Sequence, residues 1–369
     1  MMALTAGMAG LSGLVTGIVV GYCVSRARLC SFGAIEDALI GRDWRRMKIF
    51  ALALAVALAA TQTFILLGLM SASDTSLTPD AVPWLAAAIG SVAFGLGMAL
   101  VGTCAFGCLV RLGRGDLRSL VVLGVFSIVA YATLRGVLAP LRIDWVEPAA
   151  VLTPGGVPAA LPELLSWLAM ADMRLPATVI AVIVLLSWVG RDQRLRKARR
   201  LLTAGIVLGA GVAAGWVVTG MLADPFEGPI RAQSLTFVAP VARGLFGLAA
   251  GEAGFVDFGV ASVAGVVIGA AVHARLADEI RWEAFDDHHE MKRHLLGAVL
   301  MGFGGILAGG CTIGQGLTAG SLMALSWPIT VAGMFLGARV GIAILVGGSV
   351  LDVLPRPSRW LRPRGTPAE

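Results

Sequence analysis

The sequence predicts an all-α integral membrane protein of about nine transmembrane helices, in two inverted repeats with broken helices and central cysteine loops. Three observations lead there: long apolar runs between short charged segments, basic residues confined to alternate connections, and a glycine-flanked cysteine motif in each half. Of 369 residues, 57% are hydrophobic and 14% charged, against roughly 25% charged in soluble globular chains. A hydrocarbon layer about 30 Å thick takes roughly 20 apolar residues per helical crossing, which the apolar runs supply, with membrane lipids as their surroundings. The 48 glycines are nearly twice the ordinary ~7% and point to close helix contacts and to helices broken inside the membrane. The net charge of +6 reads as an orientation signal, and no nucleic-acid partner is expected.

The first span covers roughly residues 10–31. No Lys or Arg precedes Arg26, so the start lacks the basic region of a cleaved leader and reads as a retained helix. It leads into Arg26, Arg28, Arg42, Arg45, Arg46 and Lys48. By the preference of basic loops for the cytoplasm, this places the N-terminus outside. Span two is about 48–70, and the connection 71–83 carries Asp74 and Asp80 without Lys or Arg, so it is external. Span three, about 84–104, runs inward to Arg111, Arg114 and Arg118; span four, about 119–138, returns to an acidic external segment. Span five, about 175–190, ends at the strongly basic 191–200. Span six, about 201–222, precedes an external loop around 224–229 and Glu252, and span seven, about 258–275, descends to the cytoplasmic 275–294. A broken span eight, about 295–327, and span nine, about 329–350, lead to a cytoplasmic tail with Arg356, Arg359, Arg362 and Arg364.

The halves resemble each other in order. Gly17-Ile-Val-Val-Gly-Tyr-Cys-Val24 matches Gly205-Ile-Val-Leu-Gly-Ala-Gly-Val212, and Gly102-Thr-Cys-Ala-Phe-Gly107 matches Gly309-Gly-Cys-Thr-Ile-Gly314. One membrane domain therefore spans 1–369: a first repeat at 10–138, a linker with an extra span at 139–200, a second repeat at 201–350 and a basic tail at 351–369. The charge pattern sends the helix before Cys104 inward and the one before Cys311 outward, so the repeats are inverted. Their turns then face each other near mid-depth, where non-helical backbone is tolerated only if protein buries it or it lines a polar path. Five cysteines, with no CxxC, read as free thiols rather than a disulfide framework. Cys104 and Cys311 are the matched pair. Cys30 has no twin, its counterpart by the Gly17/Gly205 register being Val218.

The motifs Arg28-Leu-Cys-Ser-Phe-Gly-Ala34, Gly97-Met-Ala-Leu-Val-Gly-Thr-Cys-Ala-Phe-Gly107 with Arg111-Leu-Gly113, and Gly309-Gly-Cys-Thr-Ile-Gly314 resemble the YeeE/YedE family across most of both halves. The resemblance implies an hourglass-like inner-membrane fold and uptake of thiosulfate, or a similar small sulfur anion, along a line of cysteines. Cys30, Cys104 and Cys311 fall on the family's pathway cysteines, with Gly33, Gly102, Gly107, Gly309, Gly310 and Gly314 as pathway glycines. Cys23 and Cys108 fall outside. Thr103 stands where the family commonly has glycine. The resemblance also implies a soluble sulfur-carrier protein in the cytoplasm as partner.

No catalytic residue, metal or cofactor is expected. Broken helices aim free N–H groups and about half a positive charge at an anion, and neutral thiols add weak donors. Several weak sites in series let an ion enter and leave. The rivals are a membrane sulfurtransferase forming a cysteine persulfide, a carrier of another sulfur or selenium species, and a thiol oxidoreductase, which would want a CxxC. Arg28 is the one basic residue seen near a pathway cysteine. His288, His289 and His294 read as a solvated stretch. Arg135, Arg243 and Arg339 interrupt apolar sequence, where ionisable residues are functional candidates, but their places near span ends favour snorkelling to the interface.

Overall fold

The computed structural model describes residues 2–222, 232–251 and 255–347; the expected loop 224–229, Glu252 and the basic tail lie outside them. In the first half the helices are α1 (Met2–Ala27), α2 (Ser31–Leu39), α3 (Arg45–Leu66), α4 (Trp84–Val101), α5 (Ala105–Gly113) and α6 (Leu117–Leu134). Between the halves lie α7 (Leu161–Ala169), α8 (Arg174–Gly190) and α9 (Gln193–Lys197). The second half holds α10 (Arg199–Leu222), α11 (Ala239–Ala250), α12 (Phe258–Leu276), α13 (His288–Leu307), a wide helical turn at Gly314–Ala319, and α14 (Trp327–Gly347). The one sheet among the described residues is a two-residue antiparallel pair, Ala81 opposite Leu152 and Val82 opposite Val151.

Among the described residues, seven helices are long and apolar enough to cross a membrane. The other two expected spans fall short for physical reasons. α8 has 17 residues, and the first turns of α13 carry Glu290, Lys292 and Arg293. The outer surface confirms the solvent: Val15, Ile128, Ile180, Ile183 and Val184 are all more than half exposed, an apolar surface that water does not favour.

The bundle closes through small residues. On the α1–α12 contact, a Cβ added to Gly17 would strike the Ser262 carbonyl and one on Gly265 the Leu14 carbonyl, so the backbones touch where lipid gives no hydrophobic drive and van der Waals contact must. The α3–α10 contact is built alike, with Gly205 on Ile49 and Gly209 on the Ala53 carbonyl. The pairing continues in matched fashion: α4 packs on α14 as α6 packs on α13, α5 on α12 as the 314–319 turn on α3, and α2 on α14 as α11 on α6. α4 and α13 cross at the centre, burying Phe94, Met98, Phe126 and Met301.

The two ends of the bundle differ in charge. At one end Arg28 and Arg114 both bind Glu279, at 2.8 and 2.9 Å, and Lys48 binds Asp192 at 2.9 Å. Arg118 bridges Asp116, Glu283 and Glu290. The basic stretches near 28–48, 111–118 and 191–200 are thereby gathered with 275–294. The opposite end joins 71–83 to 139–174 and 323–325: Thr153 N donates to Asp80 O (2.9 Å), Leu161 N to Met323 O (2.9 Å) and Leu325 N to Ala159 O (2.9 Å).

Candidate functional site

The centre is built from three short helical starts: Cys30 and Cys104 each stand directly before one, and Cys311 stands three residues before the third. α4 stops because Gly102, at φ 75°, takes the left-handed conformation that a side chain resists; its N–H returns to Met98 O, and Thr103 N reaches the same oxygen. Two residues later Cys104 opens α5. Its sulfur accepts the Gly107 N–H at 3.3 Å, the role usually taken by Ser, Thr, Asp or Asn at a helix start. The second half repeats the arrangement. Gly309, also at φ 75°, ends α13, Gly310 N returns to Gly305 O, and the Cys311 sulfur accepts the Gly314 N–H at 3.4 Å. Gly310 stands where the first half has Thr103.

Cys30 caps α2 in extended conformation. Its sulfur lies 3.4 Å from Thr103 Oγ1 and within side-chain hydrogen-bonding reach of Cys104. Ser31 Oγ meets Thr312 Oγ1 at 2.9 Å, which ties the Cys30 helix to the residue after Cys311. The Phe237 backbone also lies near Cys311, and the Phe237 ring lies on Phe106, two residues after Cys104, with centroids 4.8 Å apart. The three cysteines thus belong to one connected centre, with Cys104 and Cys311 fully buried and Cys30 half-buried. Its unwound backbone is satisfied by side chains: Gln62 Nε2 donates to Ser321 O (3.0 Å), Trp327 Nε1 to Gly316 O (2.9 Å) and Thr318 Oγ1 to Leu235 O (2.7 Å). This is the condition for irregular chain at membrane depth.

A cavity of about 670 Å³ runs from the charged end to this centre, reaching Cys30, Gly33, Gly102, Thr103 and Gly107 past Arg28, Arg111 and Arg114. Arg111 donates to the Gly102 carbonyl at 3.0 Å and its charge reaches Cys30. Arg111 thus lines the same cavity as Cys30, whereas Arg28, on that cavity too, is exposed and held by Glu279. The Arg28 guanidinium, helped by Arg114, keeps the Glu279 carboxyl below its usual range, so the rim stays ionised and nearly balanced.

Cys23 sits half-buried on α1, and Cys108 is fully buried in α5 beside Ser119. His288 and His289 are exposed and, with Asp287, hold their ligand atoms within 4.8 Å of one another; His294 is buried, bonded to Glu290 O and edge-on to Phe285. Arg243 pairs with Asp257 at 2.7 Å, and Arg135 ends α6.

Thr103, Ser31, Thr312 and Thr236 were missed as site residues from sequence. A methyl placed on Gly314 would lie 2.5 Å from Thr236 Oγ1, as one on Gly107 would lie 3.5 Å from Cys30 Sγ. The place matched to Cys30 is taken by Thr236 and not by Val218, because α10 continues to Leu222 whereas α1 stops at Ala27. The available signal was the likeness of Leu29-Cys30-Ser31-Phe32 to Leu235-Thr236-Phe237.

A bundle of apolar helices long enough to cross a membrane, unwound at buried, glycine-edged cysteine turns, defines a multi-pass membrane transport protein. A family model described as "Sulphur transport" matches residues 26–340, and the chain belongs to that family, the YeeE/YedE proteins. It is 28% identical over 337 residues to a protein of Escherichia coli strain K12 named Thiosulfate transporter TsuA, covering 89% of this chain and 92% of that one. A protein of the same name from Spirochaeta thermophila is 27% identical over 339 residues, covering 85% and 92%.

Proposed function

We propose that this protein takes up thiosulfate, or a closely related small sulfur anion, across the bacterial inner membrane along a path through Cys30, Cys104 and Cys311. The observation that carries this reading is the twin geometry of Cys104 and Cys311, each a buried thiol at the start of a short helix with a backbone N–H on its sulfur. A thiosulfate dianion losing water needs compensation, yet a buried ammonium or guanidinium would hold it too firmly for passage. Helix starts supply partial positive charge, Gly33, Gly102, Gly107, Gly309, Gly310 and Gly314 let the ion approach backbone, and S–H groups add weak donors. The names of the two relatives agree with this substrate.

The halves 10–138 and 201–350 act in this reading as inverted repeats around the path, with 139–200 as a linker and extra span. The basic end with the cavity faces the cytoplasm, the N-terminus lies outside, the basic tail at 351–369 lies inside, and a soluble sulfur carrier receives the ion. Arg111, on the same cavity as Cys30, is the one feature that favours a sulfurtransferase instead, because a cation stabilises a thiolate. Sealed vesicles containing the purified protein and thiosulfate labelled on both sulfurs separate the two. Transport delivers both labels inside together. Recovery of the terminal sulfur alone, as persulfide on Cys30, Cys104 or Cys311 with sulfite left on the donor side, would replace the transporter by the enzyme.

A further inference from the structure

We infer that the hydroxyl of Thr236 is a binding group for the oxygen end of the transported anion, standing across the Cys104–Cys311 centre from the Cys30 thiol. The inference rests on the transport reading above but concerns a residue outside the cysteine line. Three observations carry it.

The first is position. A Cβ on Gly314 would lie 2.5 Å from Thr236 Oγ1, and one on Gly107 would strike Thr103 Oγ1 and lie 3.5 Å from Cys30 Sγ; Gly314 and Gly107 are the two glycines whose N–H groups bond the buried thiols. Its neighbour Phe237 has its backbone near Cys311, so Thr236 is one residue from that approach. The second is side. α10 starts at Arg199 in the charged end and runs 24 residues to Leu222, so the segment 232–238 returns to the centre from the opposite end. The cavity that reaches Cys30 does not include it.

The third is chemistry. Thr236 is half-buried, and among the described residues its hydroxyl bonds no protein group, whereas nearby Ser234, Thr318 and Ser321 each donate to a backbone carbonyl. A free hydroxyl is a stronger donor than a thiol and is suited to oxygen. Thiosulfate carries sulfur at one corner and oxygen at three, so a path with a hydroxyl on one side and a thiol on the other offers each kind of corner a matching group. The selectivity follows: an ion with both ends is held on both sides, and an all-oxygen ion on one.

The test uses purified full-length protein, read in two ways: thiosulfate binding in detergent, and uptake of labelled thiosulfate into sealed vesicles. Thr236→Val keeps the shape and removes the donor, and the expected result is a roughly tenfold weaker affinity, about 1.4 kcal/mol, with the maximal uptake rate changed far less. Thr236→Ser restores the donor and binds within twofold of the parent. Because Thr236→Val leaves a buried apolar contact in a tight place, Thr236→Cys serves as second variant; a weak donor there gives an affinity between those of Ser and Val. Parent-like affinity in Thr236→Val or Thr236→Cys, or an equal loss in Thr236→Ser, overturns the inference. If the parent binds thiosulfate and obeys this order but splits the ion in vesicles, Thr236 keeps its role and the transport reading fails.

Discussion

Gly102 and Gly309 share a φ of 75° but not their surroundings, and replacing each by alanine should separate backbone strain from crowding. Around Gly102 an added Cβ meets nothing within 4 Å, whereas at Gly309 it lies 2.9 Å from Gln315 Nε2. The left-handed conformation costs a non-glycine residue roughly 1–2 kcal/mol. Alanine also stiffens the unfolded chain, which offsets about 0.4–1 kcal/mol. Gly102→Ala should therefore destabilise by about 1 kcal/mol. Gly309→Ala carries that cost and must also move a buried glutamine whose Oε1 accepts from Thr330; overpacking of this kind adds roughly 1–3 kcal/mol, for a total of about 2–4 kcal/mol. Reversible unfolding in mixed micelles, followed by tryptophan fluorescence, measures both. Equal losses at the two sites, or a larger one at Gly102, would refute the assignment of the difference to Gln315. A Gly102→Ala variant as stable as the parent would mean that the turn does not enforce its positive φ.

Cys104→Ala and Cys311→Ala should each abolish thiosulfate uptake while inserted protein stays abundant, and Cys23→Ala should be nearly silent; growth of an uptake-deficient host on thiosulfate reads all three, and normal growth of the double variant would remove the thiols from the mechanism. Glu279 has a folded-state pKa held down by Arg28 and Arg114, so its stabilising contribution is present above the ordinary carboxylate value of about 4.3 and disappears as pH falls through the depressed one. Acid unfolding should accordingly be shallower in Glu279→Gln than in the parent below about pH 4, and superimposable curves would dismiss the rim from acid stability. A reporter active only outside the cytoplasm should work when fused at the N-terminus or within 71–83 and fail at the C-terminus, the reverse pattern overturning the orientation.

The order of helices and the positions of the cysteine turns were readable because each depends on local sequence. Apolar run length set the spans, the gathering of Arg28, Lys48, Arg114 and Arg118 at one end agrees with the basic clusters, and Gly102 and Gly309 mark helix ends through their own backbone. What the sequence hid is tertiary. Arg111 shares a cavity with Cys30, and no spacing rule connects position 111 with position 30. Ser31 and Thr312 meet only across the two halves. Thr236 escaped the repeat alignment because a register taken from Gly17 and Gly205 runs on into α10, where the matching chain in the first half has already left its helix. α8 and α13 blurred the count of crossings, one by brevity and the other by a charged start.

Two of the three helical starts, those at Cys104 and Cys311, rest on sulfur, an acceptor softer than the hydroxyl or carboxylate that ordinarily holds a first turn. The thiol keeps its own proton while it accepts the amide, so at Cys104 and Cys311 an amide and an S–H are both within reach of whatever lies beside them. In the proposed path an arriving anion needs only to exchange places with the sulfur at an N–H that already points inward. No helix need tilt and no domain need rock. The working part of such a gate is a single hydrogen bond that changes partner, set in a frame whose backbones, pressed together at glycine, have little room to move.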